Sequence, residues 1–84
     1  MAAQPAIDLS GRDLDLLAQL KKKRLSLAKE RGVPAYVIFP DKTLADMAHK
    51  RPSNLEEFAE VKGVGKSKLQ QFGEIFLNVM RTAP

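Results

Sequence analysis

Apolar residues recur at helical spacing in several stretches of this chain, and nowhere do they alternate with the period of two that marks a half-buried strand. From Arg12 to Arg31, Leu14, Leu17, Leu20, Leu27 and Ala28 fall on one side of a helix. Arg12, Asp15, Gln19, Lys22, Lys23, Ser26 and Lys29 fall on the other. Ser10 with Asp13 has the form of a capping box, with Asp in place of the usual Glu or Gln, and Gly32 is placed as the left-handed residue that closes the helix. Arg24 interrupts the apolar side. A charge there must find a carboxylate or carbonyl, or carry its head past the core edge.

The pattern predicts a second helix from Asp41, whose side chain is expected to cap the amide of Thr43 or Leu44. Leu44, Met47 and Ala48 would face inward, and the helix would stop near Arg51, before Pro52. Ser53 with Glu56 reads as another capping box, opening a short helix with Leu55, Phe58 and Ala59 on one face. A tight turn follows at Val61-Lys62-Gly63-Val64-Gly65. A last helix is predicted from about Lys66 to Arg81, with Leu69, Phe72, Ile75, Phe76, Val79 and Met80 at helical spacing. Between the first two helices lies the apolar run Gly32 to Asp41, bracketed by Pro34 and Pro40 and holding the only tyrosine, Tyr36. With no strand to pair with, it is expected to be an irregular connector pressed into an all-α bundle. Val33, Val37 and Phe39 would be its anchors.

Eighty-four residues make one small domain, which buries only about 60–65% of its unfolded surface. Residues 1–9 read as a flexible leader or linker remnant, 10–82 as the helical domain and 83–84 as a tail. Hydrophobic content of 44% with 29% charged residues suits a globular module, not a disordered one. There is no cysteine, which excludes disulfides and thiolate metal sites. No apolar stretch approaches the roughly 18 residues of a membrane span, and the first residues lack the pattern of a signal peptide. The net charge of +4 favours an anionic partner.

Catalysis finds no constellation to carry it. His49, the lone histidine, lies beside Lys50 and Arg51 and reads as solvated. Glu56, Glu57 and Glu60 suit a helix N-terminus better than a metal, so neither a metal nor a cofactor is expected. The run Lys21-Lys22-Lys23-Arg24 fans around a helix, with Lys22 and Lys29 sharing a face and Lys23 at the other edge of the polar side. It fits either a solvated face or a patch that contacts phosphates. Lys62-Gly63-Val64-Gly65-Lys66, followed by Lys68, fits either a phosphate-receiving hairpin of backbone amides or a close-packed interhelical turn. Tyr36 fits either a core ring with a bonded hydroxyl or a platform on which an unpaired base stacks. Phe39, Phe58, Phe72 and Phe76 have core-type spacing.

Several of these segments occur in a familiar order. They are the basic first helix, Val33-Pro34-Ala35-Tyr36-Val37-Ile38-Phe39, Asp41-Lys42-Thr43-Leu44, Met47-Ala48, Pro52, Leu55 with Phe58, Val61-Lys62-Gly63-Val64-Gly65, Lys68-Leu69 and Phe72-Gly73. From about Leu14 to Met80 the chain resembles the HRDC domain (helicase and RNase D C-terminal), most closely that of bacterial RecQ DNA helicases. The resemblance implies a compact five-helix bundle with a short 3₁₀-like turn after the first helix. It also implies a non-catalytic accessory module, acting in the cytoplasm at the bacterial nucleoid, with catalysis elsewhere in a nucleotide-binding parent that serves DNA repair and recombination. Single-stranded or partial-duplex DNA is the implied ligand of a monomer. Tyr36 would be the stacking residue, with Lys22, Lys23, Lys29, Lys62, Lys66 and Lys68 as the basic surface. The alternative is a docking domain for the parent helicase core or a partner protein, with little DNA binding of its own and the acidic residues Glu56, Glu57 and Glu60 contributing to the contact.

Overall fold

A computed structural model describes residues 9–82. The expectations for a leader and a tail therefore lie, apart from Leu9, outside the described residues. Helix α1 spans Gly11–Arg31, opened by the Ser10–Asp13 capping box and closed by Gly32 at φ 65°. Its apolar side is turned from the predicted one. Leu16, Leu20, Leu27 and Ala28 are buried, whereas Leu14 is exposed. Leucines span about half the circumference of this helix, so its partners select which part of that half is the core side.

The connector forms one helical turn, α2 (Ala35–Ile38), begun by a bond from the Val37 N–H to the Pro34 carbonyl. Ile38 and Phe39 are buried and Val37 faces solvent, so Ile38 replaces Val37 as an anchor. Phe39 then becomes the centre of an aromatic cluster. Its ring centroid lies 5.2 Å from that of Phe76, 5.9 Å from Phe72 and 6.3 Å from Phe58. Edge and tilted contacts at these separations each add about 0.5–1.5 kcal/mol to simple burial.

Helix α3 (Asp41–Lys50) is preceded by Pro40 at the N-cap position, and the Asp41 carboxylate does not cap it. Arg24 draws that carboxylate away. Its Nη1 donates to the Asp41 Oδ1 at 2.8 Å and to the Phe39 carbonyl at 2.9 Å. The charge on the apolar side of α1 is thereby paired, and one nitrogen joins α1 to the end of the connector. At the other end of α3, Arg51 adopts φ 48° before Pro52, which disfavours continuing the helix. Its guanidinium reaches back to the Arg12 carbonyl at 3.0 Å and the Asp13 carboxylate at 3.4 Å.

The short helix α4 (Leu55–Phe58) begins one residue later than predicted. Asn54 is the cap, accepting the Glu57 N–H at 2.8 Å, and the Glu57 carboxylate takes the Ser53 N–H and hydroxyl. Phe58 points inward, while Leu55 and Ala59 are exposed. Helix α5 (Lys66–Thr82) contributes Phe72, Gly73, Phe76 and Leu77 to the core. Helices α2, α3 and α5 pack on α1, and α4 packs on α5.

The turn between α4 and α5 is tight against α3. Gly63 has φ 88°, and a Cβ there would collide with the Thr43 hydroxyl oxygen. Gly63→Ala is expected to cost about 2 kcal/mol and to lower the thermal midpoint by roughly 10 °C in a circular dichroism melt. Adding Thr43→Ala should recover only part of the loss, because the left-handed backbone remains strained. A midpoint within about 1 °C of the parent for Gly63→Ala would contradict this packing.

Candidate nucleic-acid interface

With Ala35 and Ile38 turned toward the core, a single helical turn leaves its two middle residues, Tyr36 and Val37, facing out. Tyr36 is 70% exposed, so its ring is a free face held on a turn whose next two inward residues are among the most buried in the chain. The core reading of this tyrosine is excluded.

Two cations gather on the Phe72 ring, and one of them touches that turn. Lys68, in the first turn of α5, donates its ammonium to the Val37 carbonyl, and its Nζ lies 5.5 Å from the Phe72 ring centroid. Arg31, at the end of α1, places its guanidinium carbon 4.7 Å from the same centroid and donates to the Gln71 side chain at 3.3 Å. Gln71 is steadied in turn by the Ser67 hydroxyl at 2.9 Å. The Phe72 ring thus gathers positive charge at the junction of α1, α2 and α5. Arg31 was not among the residues expected from sequence, since a cation in the last turn is accounted for by the helix dipole alone.

The other expected cations are distributed differently. Lys66 is exposed at the start of α5. Lys22 and Lys29 are exposed on the side of α1 opposite the buried stripe, and Lys23 is half-buried at its edge. No hydrogen bond or ion pair among the described residues links these three or Lys66 to the Tyr36 turn, but Lys66 lies in the same first turn of α5 as Lys68. Lys62 is exposed, yet its backbone N–H is already committed, donating to the Asp46 carboxylate at 2.8 Å. The Val64 N–H donates to the Val61 carbonyl. Lys62-Gly63-Val64-Gly65 is therefore a close-packed turn, with an acidic group beneath it and the amides of Lys62 and Val64 occupied.

Asp46 itself gave no signal in the sequence. It sits mid-helix in α3, is almost wholly buried, and also receives the Lys50 ammonium at 2.9 Å. Burial pushes its carboxyl up, but the Lys62 N–H and the Lys50 ammonium outweigh that effect and hold it below the ordinary carboxylate value. His49 is exposed, 3.7 Å from the Asp13 carboxylate. Among the described residues no three His, Cys, Asp or Glu side chains gather to hold a metal, and no helix is long and apolar enough to cross a membrane.

Comparisons with known proteins agree with this architecture. The HRDC domain family model matches residues 13–80. The ATP-dependent DNA helicase UvrD2 of Mycobacterium tuberculosis is 45% identical over 69 residues, covering 82% of this chain and 10% of that protein. The ATP-dependent DNA helicase RecQ of Bacillus subtilis is 41% identical over 63 residues, covering 75% of this chain and 11% of that protein. The chain thus spans about a tenth of the length of these curated relatives. Among solved structures, the D. radiodurans RecQ HRDC domain 3 superposes with a TM-score of 0.82 at 36% identity, covering 86% of this chain and 95% of that one.

The Asp46 carboxylate ties acid stability to the turn that leads into α5. Its folded value lies below the unfolded one, so its contribution is present above the unfolded pKa of about 3.9 and is lost as pH falls through the lower, folded value. Urea melts from pH 6 down to pH 2 should show Asp46→Asn less stable at pH 6, with the gap to the parent closing only below about pH 4. A constant gap across that range would exclude this assignment.

Proposed function

The chain belongs to the HRDC family, and from that premise we propose that it is the accessory nucleic-acid-binding module of a RecQ- or UvrD-type DNA helicase, with catalysis in another part of that protein. It holds single-stranded or partial-duplex DNA without reading sequence. Tyr36 stacks on an unpaired base, while Arg31, Lys66 and Lys68 face the phosphates on either side. The observation that supports this reading is the exposed Tyr36 ring on a turn whose Val37 carbonyl takes the Lys68 ammonium, with Lys68 and Arg31 both gathered over the Phe72 ring. A rigid, exposed aromatic stacks on a base at low entropic cost, and every base offers it a face.

Lys68 has a second task in this scheme. Its bond to the Val37 carbonyl anchors α5 to the Tyr36 turn, so its charge and its positioning act together. Lys22, Lys23 and Lys29 contribute to the general positive field, which steers DNA without fixing it. A pure docking role resting on the acidic residues near α4 is less well supported, because the Glu57 carboxylate already accepts the Ser53 N–H and hydroxyl.

Three phosphate contacts predict that log K falls against log salt with a slope near −2 for single strands, and that affinity is on the order of micromolar or poorer. Fluorescence anisotropy with a labelled oligothymidine should show Tyr36→Ala weaker by roughly tenfold, with an unchanged melting midpoint, and Tyr36→Trp retained. Lys66→Ala and Arg31→Ala should each flatten the slope by about 0.7, while Lys22→Ala leaves it unchanged. If an NMR titration at low salt moves no resonance around Tyr36, the reading fails.

A further inference from the structure

The outer side of α1 carries a feature that the DNA-binding reading leaves unused. Leu14 and Leu25 are 54% and 50% exposed. Eleven residues apart on one helix, they stand within about 20° of each other in azimuth and about 16 Å apart along the axis. Ala18 and Lys21, both exposed, complete the i, i+4, i+7, i+11 spacing between them. Lys22 and Lys29 border this seam on one side, and among the described residues none of the three lysines is in an ion pair. Asp41 lies within electrostatic reach of Lys21 but is held by Arg24. Asp15, the one acid on this side of α1, is two turns before Lys22.

Single exposed leucines are ordinary on a protein surface. Two on one seam, with a small residue between them to let a backbone approach and lysines along the border, have the layout of one half of a helix pair. We propose that this face of α1 docks an acidic amphipathic helix of a protein partner, its aliphatic residues on Leu14, Ala18 and Leu25 and its carboxylates opposite Lys21, Lys22 and Lys29. Charge selects this occupant. A second copy of the chain packed parallel would set lysines against lysines, and one packed antiparallel, Leu14 against Leu25, would leave Lys21 and Lys22 opposite Ala18 and Leu17 with no counter-charge. A nucleic acid would satisfy the lysines yet gain nothing from the leucines. The lysine stems extend the apolar strip, while their heads reach the partner's acids. Three helical turns make a small contact, so the complex is weak and exchanges quickly. Its acids should lie along the half of the partner facing Lys21 to Lys29, since the first turns of α1 carry Asp13 and Asp15.

The probe is a synthetic helical peptide of about 18 residues with leucines at i, i+4, i+7 and i+11 and glutamates flanking them, titrated into the ¹⁵N-labelled 84-residue chain. Its control is the same peptide with lysines in place of the glutamates. The expected result is a set of amide shifts confined to the outer face of α1, saturating below about 1 mM peptide, with none from the control. Leu14→Ser with Leu25→Ser should weaken binding at least about tenfold, with a native circular dichroism spectrum. Should that variant unfold, Lys21→Glu with Lys22→Glu tests the same surface and should shift preference to the control peptide. Four results overturn the proposal. They are no shift at about 1 mM, equal shifts from both peptides, self-association through the same residues, or displacement of the same amides by single-stranded DNA in place of the acidic peptide.

Discussion

The bundle depends on burying one ring that lies outside its long helices. Phe39 sits in the connector between α1 and α3, yet its ring meets those of Phe58, Phe72 and Phe76. To put it there, the backbone must turn inward and bring the Phe39 carbonyl into a largely apolar setting, where an unpaired carbonyl costs about 1–3 kcal/mol. Arg24 removes that cost. A cation amid the leucines of α1 would ordinarily be a defect, but it supplies the donor this carbonyl needs and takes its counter-charge from Asp41. The irregular sequence feature of α1 and the irregular segment that follows it therefore account for each other.

A similar arrangement operates at the opposite side of α3. The turn entering α5 approaches α3 so closely that only glycine fits at position 63, and Asp46 receives the amide of the residue before it. Arg51 ties the end of α3 to the start of α1. Helix α3 is thus held by side-chain-to-backbone bonds at both ends and in the middle. A ten-residue helix is too short to be stable alone, so its order comes from these attachments and from burial of Leu44, Met47 and Ala48.

How much of this was legible in the chain differs by element. The limits of α1 were plain, because Ser10, Asp13 and Gly32 act through local geometry, and Pro52 ended α3 for the same reason. The inward side of α1 was not. Leu14 and Leu16 lie near opposite edges of the leucine-bearing half of the helix, and only the partners decide which edge is buried. Ser53 with Glu56 and Asn54 with Glu57 satisfy the same capping spacing one residue apart, so the residue before α4 could not be chosen locally. Within the connector, Val37 and Ile38 exchanged places because a single turn has no period to read. Tyr36 was singled out, but a lone ring in a one-turn connector fits the core or the surface equally, and the burial of Ile38 and Phe39 decides that it faces out. Arg31 and Asp46 were not found, since their partners, Phe72 and the Lys62 amide, lie 41 and 16 residues further along the chain.

Tyr36 and Phe39 are three residues apart, and one is as fully exposed as the other is buried. Selection therefore acts on them through separate channels. Replacing the outer ring alters the surface without disturbing the interior, whereas the inner ring is constrained by the Phe58, Phe72 and Phe76 rings that it touches. A fold arranged in this way can change the residue at the crest of the turn while the scaffold stays recognisable, because the two positions share a backbone but no packing.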